Sequence, residues 1–266
     1  MTTLITGAGR GIGKRLAIGF AQAGGRVGLL GRSQAELDLT KLEIEHAGGT
    51  AHRFRADVRD IEQLTAAVDR MALIYGPVHT LIASAGVLGP IGPFVGQRSR
   101  DWQEVLETNV IGVMNACRVV LPQMIQQRKG KILIIVDHGA DRPRPNLAPY
   151  SASKAAQVRF AESLAEEVRE HNVQVNCLSP GGAYTSMTDD ILHAGERAGA
   201  DEVEEAERIR ITGGITPDKQ IQLALFLTSE RSNHLTGKLI HIGDDLVKLE
   251  RDNVHRDSWA LRRHLK

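Results

Sequence analysis

Short apolar runs alternate with longer amphipathic stretches along most of this 266-residue chain. Seven runs predict β-strands, at residues 2–6, 26–30, 51–55, 78–84, 131–136, 173–178 and 238–242. Between them, stretches with apolar residues at helical spacing predict helices, at residues 12–24, 34–47, 60–75, 99–128, 149–171 and 217–229. Because this alternation is typical of βαβ units, we predict an α/β fold with a doubly wound, seven-stranded parallel sheet and helices on both faces.

Two regions interrupt this rhythm, but neither indicates a second domain. The chain has no Pro- or Ser-rich linker and no internal repeat, so we expect a single domain over residues 1–266. Residues 182–214 are polar and dotted with glycine, which suits a segment that covers a bound substrate. Residues 245–266 form a tail that would pack on a neighbouring subunit or border the active site. The alternative is a charged amphipathic terminal helix with Trp259 anchored on the body, which explains the tail adequately.

Composition and charge restrict the class of partner. The chain has 33 Lys and Arg against 32 Asp and Glu, so a nucleic-acid or membrane partner is not indicated and a small-molecule substrate is expected. No leader precedes the first strand and no apolar run approaches membrane length, which predicts a cytoplasmic location. Cys117 and Cys177 lack metal-ligand spacing, so packed thiols are expected and no metal site is predicted.

A glycine-rich stretch follows the first predicted strand and opens the first predicted helix. Its glycines include Gly7, Gly11 and Gly13, with Ile12 between the last two. Glycines permit a tight turn and a close backbone approach, and a helix N-terminus offers free N–H groups to an anion. The stretch therefore predicts a pyrophosphate-binding loop, with a purely structural glycine turn as the alternative.

Tyr150 and Lys154 are four residues apart in a predicted helix, so they lie on one helical face. A phenol and an ammonium in this arrangement are suited to proton transfer, because the positive charge favours the phenolate and lowers the pKa of the phenol. The alternative is an ordinary surface pair at i,i+4 spacing.

Together these motifs resemble those of the short-chain dehydrogenase/reductase family. Six features occur in the family's order between residue 2 and about residue 243: the glycine pattern, Asp57-Val58, Ala85-Gly86, Asn109, Tyr150 with Lys154, and Pro180-Gly181. The resemblance implies a single-domain Rossmann fold, a nicotinamide cofactor and hydride transfer to or from a carbonyl or alcohol carbon. It also implies a homodimer or homotetramer that pairs through the helices predicted at 99–128 and 149–171.

The resemblance also assigns cofactor contacts to individual residues. The pyrophosphate would lie on Gly7, Gly11, Ile12 and Gly13. The adenine would meet Asp57 and Val58, the adenine-side ribose would lie over Ala85 and Gly86, and the nicotinamide would contact Pro180, Gly181, Ala183 and Thr185. Lys154 would hold the nicotinamide ribose beside Tyr150. An ordinary solvated carboxylate at the end of a strand is the alternative for Asp57.

Two arginines indicate which nicotinamide cofactor is preferred. NAD-selective members of the family place an acidic side chain after the second strand, where it accepts from the ribose 2′-hydroxyl and repels a 2′-phosphate. Here that corner carries Arg32, and Arg10 lies in the glycine loop. Guanidinium groups suit a phosphate, so NADP(H) is predicted over NAD(H). Ordinary solvated arginines are the alternative.

The resemblance gives Tyr150 the role of general acid, with Lys154 assisting. Asn109 corresponds to the family position that supports a water leading protons toward that lysine. A helix-interior amide bonded to the backbone is an equal alternative for Asn109 on residue type alone.

The chain departs from the family at position 137, where most members have a serine thirteen residues before the tyrosine. Asp137 stands there instead, followed by His138. An ionised aspartate can only accept a hydrogen bond, and it opposes formation of the neighbouring phenolate. Four interpretations stay open: a protonated Asp137 that donates, an Asp137 that accepts from the substrate, His138 as the donor, and lost catalysis. We favour the acceptor role, because nearby positive charge keeps a carboxylate ionised.

Two classes of function follow from these residues. The first is an NADP(H)-dependent oxidoreductase acting on a small carbonyl or alcohol. The second is a dinucleotide-binding regulatory or scaffolding protein whose catalysis has decayed at Asp137. Near the expected pocket mouth, Arg142 and Arg144 would either face an anionic substrate or lie in a solvated turn.

Overall fold

A computed structural model describes residues 1–251 and 259–260, and it contains the predicted seven-stranded parallel sheet. The strand order is β3-β2-β1-β4-β5-β6-β7. The strands are β1 (Thr2–Thr6), β2 (Arg26–Gly31), β3 (Thr50–Arg55), β4 (Thr80–Ala83), β5 (Gly130–Ile135), β6 (Val173–Ser179) and β7 (Leu239–His241). The prediction of a doubly wound parallel sheet is confirmed, although β4 and β7 are shorter than their apolar runs.

Helices connect the strands. They are α1 (Gly11–Gln22), α2 (Gln34–His46), α3 (Ile61–Tyr75), α4 (Ser99–Leu106), α5 (Gly112–Gln127), α6 (Ala148–Glu167), α7 (Ser186–Ala194), α8 (Ala200–Thr212), α9 (Pro217–Leu227) and α10 (Leu246–Leu249). The helix predicted at 99–128 is divided, because a π-helical turn at Glu107–Ile111 separates α4 from α5. Residues 182–214 interrupt the predicted alternation of strands and helices. In the structure they contain the helices α7 and α8.

Local sequence explains several helix starts. The Asp60 side chain accepts from the backbone N–H groups of Glu62 and Gln63 before α3, and the Ser33 hydroxyl accepts from Glu36 before α2. These caps satisfy N–H groups that have no partner within the helix. Pro217 stands in the first turn of α9, where its missing N–H costs nothing.

The sheet separates two hydrophobic clusters. Leu4 and Ile5 are adjacent in β1, and each is fully buried in a different cluster. Leu4 packs in the cluster that contains side chains of α3, α5 and α6, whereas Ile5 packs with side chains of α1, α2 and α9. The alternation of side chains along a strand therefore explains why the strands are apolar on both faces.

Strand order also determines where a ligand can bind. Strand β1 pairs with β2 on one side and with β4 on the other, in parallel. The connections therefore diverge to opposite faces and leave a crevice beyond the carboxyl ends of these strands. The glycine loop follows β1 and the segment with Ala85 follows β4, so both lie at this crevice.

The helical run Ser99–Gln127 corrects one expectation. By length and composition it could cross a membrane, with a mean hydropathy of 1.2 over its most apolar window, so the expectation that no apolar run approaches membrane length is wrong. Half of that window is buried inside the protein, as in the core helices of soluble proteins, which pass the same test.

The tail contacts the body at Trp259. The backbone carbonyl of Trp259 accepts a 2.7 Å hydrogen bond from the N–H of Leu239 on the edge strand β7. The Trp259 side chain packs, half-buried, against the cluster formed by α1, α2 and α9. The expected anchoring of Trp259 is confirmed, and the rest of the predicted terminal helix lies outside the described residues.

Candidate active site

The glycine loop between β1 and α1 adopts a conformation that depends on glycine. Gly7 and Gly11 have φ angles of +67° and +57°, which are in the left-handed region. A Cβ at Gly13 would lie 2.3 Å from the Gly7 carbonyl oxygen, so only glycine lets the loop close on α1. The first N–H groups of α1 have no partner within the helix and carry its positive dipole end.

A cavity of about 570 Å³ extends from this loop across the carboxyl ends of the strands. Its lining brings together every sequence-predicted cofactor residue: Gly7, Arg10, Gly11, Ile12, Gly13, Arg32, Asp57, Val58, Ala85, Gly86, Tyr150, Lys154, Pro180, Gly181, Ala183 and Thr185. Asp137 and His138 also line the cavity, whereas Asn109 lies behind its wall.

One end of the cavity carries opposing charges. Arg10 and Arg32 both line it, and so does Glu36, whose carboxylate is 3.9 Å from the Arg10 guanidinium. Asp57, further along, pairs with Arg59 at 2.7 Å, and the hydrogen bond from Arg59 lowers the pKa of Asp57. Arg10 and Arg32 supply positive charge at the corner that follows β2, and Glu36 partly offsets it.

The other end of the cavity holds the predicted proton-transfer pair. Lys154 Nζ lies 5.4 Å from the centre of the Tyr150 ring, and both residues are only 6% exposed. Burial, then the negative charge of Asp137 and a hydrogen bond to it, raise the pKa of Tyr150 well above its ordinary value, while Arg144 opposes the shift. The prediction of a lowered pKa for Tyr150 is therefore wrong in this structure. Burial lowers the pKa of Lys154, and Asp137 opposes that shift.

Asp137 is held by two donors. The backbone N–H of Gly139 donates to Oδ1 at 2.8 Å, and the Arg144 guanidinium donates to Oδ2 at 2.7 Å. Arg144 also donates two hydrogen bonds to the Glu202 carboxylate on α8, at 2.8 and 2.5 Å. One guanidinium thus joins the loop after β5 to the segment that covers the cavity.

Arg144 is neither solvated nor free to meet an anion. Its side chain is 9% exposed, and its guanidinium carbon lies 5.7 Å from the centre of the Tyr150 ring. Burial acts against its charge, but the hydrogen bonds to Glu202 and the charge of Asp137 prevail and raise the pKa of Arg144. The solvated-turn alternative for Arg144 is therefore wrong, and its donors are already engaged by two carboxylates.

Asn109 has a different neighbourhood from the one the resemblance suggests. Its side chain bonds both the N–H and the carbonyl of Val87, at 2.8 and 2.9 Å, and donates to Ser153 at 3.0 Å. Its backbone carbonyl accepts from the side-chain amide of Gln157. The oxygen of the same amide accepts from Lys154 Nζ at 3.2 Å, so Gln157 directly connects Asn109 with the lysine.

The cavity is suited to a dinucleotide. Its glycine cradle admits no Cβ at Gly13, and the N-terminus of α1 opens onto it. The Thr108 hydroxyl is buried at the cavity wall and has no hydrogen-bond partner among the described residues, which indicates a group that a ligand would satisfy. Within residues 1–251 and 259–260, no cluster of His, Cys, Asp and Glu is placed to hold a metal ion.

Comparison with known proteins agrees with this geometry. The sequence profile of the short chain dehydrogenase family matches residues 1–195, which is well over half of the chain. The chain belongs to the short-chain dehydrogenase/reductase family. It is 32% identical over 244 residues to the 3-oxoacyl-[acyl-carrier-protein] reductase FabG of Thermotoga maritima, covering 92% of this chain and 96% of that protein.

Solved structures of family members share the fold over most of their length. Actinorhodin polyketide ketoreductase with NADPH superposes with a TM-score of 0.83 at 29% identity, covering 90% of this chain and 94% of that one. 7α-hydroxysteroid dehydrogenase complexed with NADH and 7-oxo glycochenodeoxycholic acid has a TM-score of 0.80 at 29% identity, covering 90% and 91%. The chain is therefore an oxidoreductase of this family by descent, and its relatives include both NADPH and NADH complexes.

Sequence reasoning missed three residues of the site. Gln157 follows Lys154 by three positions in α6, so helical spacing could have placed its amide beside the lysine. Glu202 gives no such signal, because it is 58 residues from Arg144 and meets it only in the folded chain. Thr108 directly precedes Asn109, and nothing in the local sequence indicates that its hydroxyl lies at the cavity wall.

Proposed function

We propose that this short-chain dehydrogenase/reductase is an NADP(H)-dependent oxidoreductase that interconverts a small carbonyl compound and its alcohol. The observation that carries the proposal is the position of Tyr150 and Lys154 in one cavity with the glycine loop. When bound, the nicotinamide supplies or accepts the hydride. Tyr150, whose raised pKa keeps the phenol protonated, is the group that donates a proton to the substrate oxygen during reduction.

Lys154 has two tasks in this proposal. Its Nζ is fixed by hydrogen bonds to the Ile135 carbonyl at 3.0 Å and to Gln157 at 3.2 Å, which leaves one N–H for a ribose hydroxyl. Its Nζ also lies 5.4 Å from the centre of the Tyr150 ring, where a positive charge stabilises negative charge that develops on the phenol oxygen. Both tasks depend on a lysine that is held in place before the ligand arrives.

The test of this activity is a panel of small ketones, aldehydes and alcohols assayed through nicotinamide absorbance. We expect turnover by the wild-type protein and a loss of about 10²-fold or more in Tyr150→Phe, which keeps the ring but lacks the transferable proton. Phe at this position should retain NADPH binding, measured by fluorescence titration. Equal turnover by the two proteins would contradict the assignment of Tyr150.

Arg10 and Arg32 support the preference for NADP(H). Both line the corner after β2, and a guanidinium binds a phosphate with paired hydrogen bonds. Glu36 lies close to Arg10, and its carboxylate can either repel a 2′-phosphate or accept a hydrogen bond from a 2′-hydroxyl. Because Glu36 offsets the charge of Arg10, the preference depends mainly on Arg32. We expect a higher kcat/KM with NADPH than with NADH, and Arg32→Ala should reduce the ratio about tenfold or more, with Arg53→Ala as a control outside the cavity. A preference for NADH in the wild-type protein would contradict this.

A second function is favoured by one observation, the carboxylate beside the tyrosine. Asp137 cannot donate to a carbonyl when ionised, and it raises the pKa of Tyr150. A dinucleotide-binding regulatory or scaffolding protein would combine these properties with cofactor affinity. Tight NADPH binding without turnover of any compound in the panel would support this alternative over the enzyme.

The remaining proposals concern assembly and location. We infer a homodimer or homotetramer, supported by the exposed apolar side chains of Leu106 and Ile111 on the helices expected to pair. Light scattering on a gel-filtration column tests this, and a monomer at micromolar concentration would contradict it. A cytoplasmic location is likewise inferred, supported by the similarity to FabG, and cell fractionation tests it.

A further inference from the structure

Lys154 donates hydrogen bonds to two amide oxygens, which accept a hydrogen bond but do not take up a proton. Nζ donates to the Ile135 carbonyl and to the Gln157 side-chain oxygen, and both acceptors are amides. The other end of the Gln157 amide donates to the Asn109 carbonyl, which is again an amide oxygen. An amide is neutral across the physiological pH range, so this chain fixes the lysine but does not carry a net proton.

The chain is also fully enclosed. Gln157 is 1% exposed and Asn109 is 0% exposed. The remaining polar atoms of Asn109 are engaged with Val87 and Ser153, and Asn109 lies in the π-helical turn that joins α4 to α5. Gln157 therefore occupies the position between Lys154 and Asn109 at which a proton-carrying water would have to stand.

Asp137 offers an alternative route. Its carboxylate accepts a 2.7 Å hydrogen bond from the Arg144 guanidinium, whose carbon lies 5.7 Å from the centre of the Tyr150 ring, and its side chain is 21% exposed. It lines the cavity, as does His138 beside it, whereas Tyr150 and Lys154 are only 6% exposed. A carboxylate that lies in the same cavity as the phenol and also reaches solvent is placed for a proton relay.

Two positive charges lie near Asp137. Arg144 donates to Oδ2 from the same loop, and Lys154 Nζ on α6 lies 5.4 Å from the centre of the Tyr150 ring. Glu202 on α8 is the opposing charge, and it is neutralised by two hydrogen bonds from Arg144. Glu205, the other carboxylate of α8 at the cavity, pairs with Arg208.

From this geometry we propose that the catalytic proton is exchanged with solvent through Asp137, and that Gln157 is a positioning residue that closes the route from Lys154 toward Asn109. This inference rests on the proposed oxidoreductase function. It specifies how the proton is exchanged in a site that has Asp137 where most of the family has a serine. Asp137 and Gln157 then act together, because Asp137 supplies a proton exit while Gln157 closes the route from Lys154 toward Asn109.

In the direction of alcohol oxidation, the step balances as follows. When bound, the oxidised nicotinamide would take up the hydride released as the alcohol C–H bond breaks, and the alcohol O–H bond breaks as its proton passes to the Tyr150 oxygen. The Tyr150 hydroxyl proton moves at the same time to an oxygen of Asp137, which then releases it to solvent. The phenol thus needs no separate ionisation, which its raised pKa opposes. Reduction runs through the same transfers in reverse.

The first experiment replaces Asp137 by Asn, which keeps the shape and an acceptor oxygen but cannot take up a proton. With the substrate found in the panel, we expect Asp137→Asn to lower kcat for alcohol oxidation by about 10²-fold, with NADPH affinity preserved. Added imidazole, a small proton carrier, should restore kcat of the variant in proportion to its concentration and leave the wild-type kcat unchanged.

A matched control separates the relay from a general effect of charge in the cavity. Glu205→Gln removes a carboxylate from the same cavity, and it should show no imidazole rescue. A wild-type protein without turnover would overturn the proposed function and the relay with it. Turnover by the wild-type protein with an unchanged kcat in Asp137→Asn would overturn the relay alone.

The second experiment tests Gln157. Gln157→Ala leaves a space bordered by Lys154 Nζ and the Asn109 carbonyl, two polar partners for a water molecule. In an Asp137→Ser background, where the relay is missing, Gln157→Ala should raise kcat about tenfold or more by opening the enclosed route. An equal or lower kcat in the correctly folded double variant, verified by circular dichroism and NADPH binding, would overturn the role of Gln157.

Discussion

At the scale of single residues, the carboxylate at position 137 changes what the neighbouring phenol can do. A serine would donate to a substrate oxygen, whereas Asp137 accepts from Gly139 and Arg144. Its negative charge raises the pKa of Tyr150, so the phenol is held as an acid. The chemistry at this site therefore depends on one side chain that accepts where the family usually donates.

Gly13 supports a prediction at the scale of a single residue. Gly13→Ala places a Cβ 2.3 Å from the Gly7 carbonyl oxygen, and because this neighbour is backbone it cannot move aside cheaply. We expect a loss of about 1–3 kcal/mol in the free energy of unfolding and weaker NADPH binding. Urea denaturation and fluorescence titration measure the two effects.

Gly96→Ala is the matched control for this prediction. A Cβ at Gly96 meets no heavy atom within 4 Å, and its φ angle is not positive. The change in the free energy of unfolding should be within about 0.5 kcal/mol. A Gly13→Ala protein with the wild-type urea midpoint and NADPH affinity would contradict the prediction, because the loop would then tolerate a side chain at this position.

At the scale of elements, Arg144 joins the loop after β5 to α8. Arg144→Met leaves the carboxylates of Asp137 and Glu202, which are 21% and 14% exposed, without their shared partner. We expect a loss of about 3–5 kcal/mol in the free energy of unfolding, because an uncompensated buried charge is costly. Glu202→Gln keeps an acceptor for Arg144 and should cost less.

Amide hydrogen exchange localises this effect. Protection of the α8 amides should fall more than protection of the sheet in Arg144→Met, because α8 is the element that the arginine holds. Unchanged α8 protection together with a wild-type urea midpoint would contradict a connecting role for Arg144.

Strand β5 supports a prediction of pH dependence. Lys131 is 9% exposed, and burial lowers its pKa from 10.5 to about 8. Since the folded pKa lies below the unfolded value, stability is greatest above pH 10.5 and is lost as pH falls through about 8. Lys131→Met removes this cost, so it should stabilise the protein by up to about 3 kcal/mol below pH 8.

Urea denaturation from pH 7 to pH 10.5 checks the sign. The advantage of Lys131→Met should be constant below about pH 8 and shrink as the pH approaches 10.5. Lys129→Met is the control, because Lys129 forms only an exposed ion pair with Glu230 and should change the free energy of unfolding by less than about 1 kcal/mol. A Lys131→Met protein less stable than wild type at pH 7 would refute the prediction.

At the scale of the whole molecule, one sheet with hydrophobic clusters on both faces carries the cavity at its carboxyl edge. A ligand that binds only this folded arrangement stabilises it by mass action. NADPH at 100 times its dissociation constant should add about 2.7 kcal/mol to the free energy of unfolding. For a protein of this size, that corresponds to a rise in melting temperature of roughly 5–10 °C.

Differential scanning fluorimetry measures this rise. At the same concentration, NADH should raise the melting temperature less than NADPH, and Arg32→Ala should reduce the difference. Equal shifts from both cofactors in the wild-type protein would contradict selection at the corner after β2.

Much of the architecture was predictable because it depends on local patterns. Apolar runs fully buried in a parallel sheet stand out between amphipathic helices, as in β1 and α1. The division of the helix predicted at 99–128 was not predicted, because no proline or glycine within Glu107–Ile111 marks the π-helical turn. The pKa of Tyr150 was predicted with the wrong sign, because burial and the orientation of Asp137 are properties of the packed site.

Local sequence is enough to specify the alternation of strands and helices, the glycine turn at Gly7 to Gly13, and a phenol four residues from an ammonium on one helix. These follow from backbone sterics and helical periodicity, which act over a few residues. Long-range packing is what makes Arg144 join Asp137 to Glu202 and places Gln157 between Lys154 and Asn109. Hydrogen bonds between residues 48 or 58 positions apart depend on how helices and loops pack, and no local pattern encodes that packing.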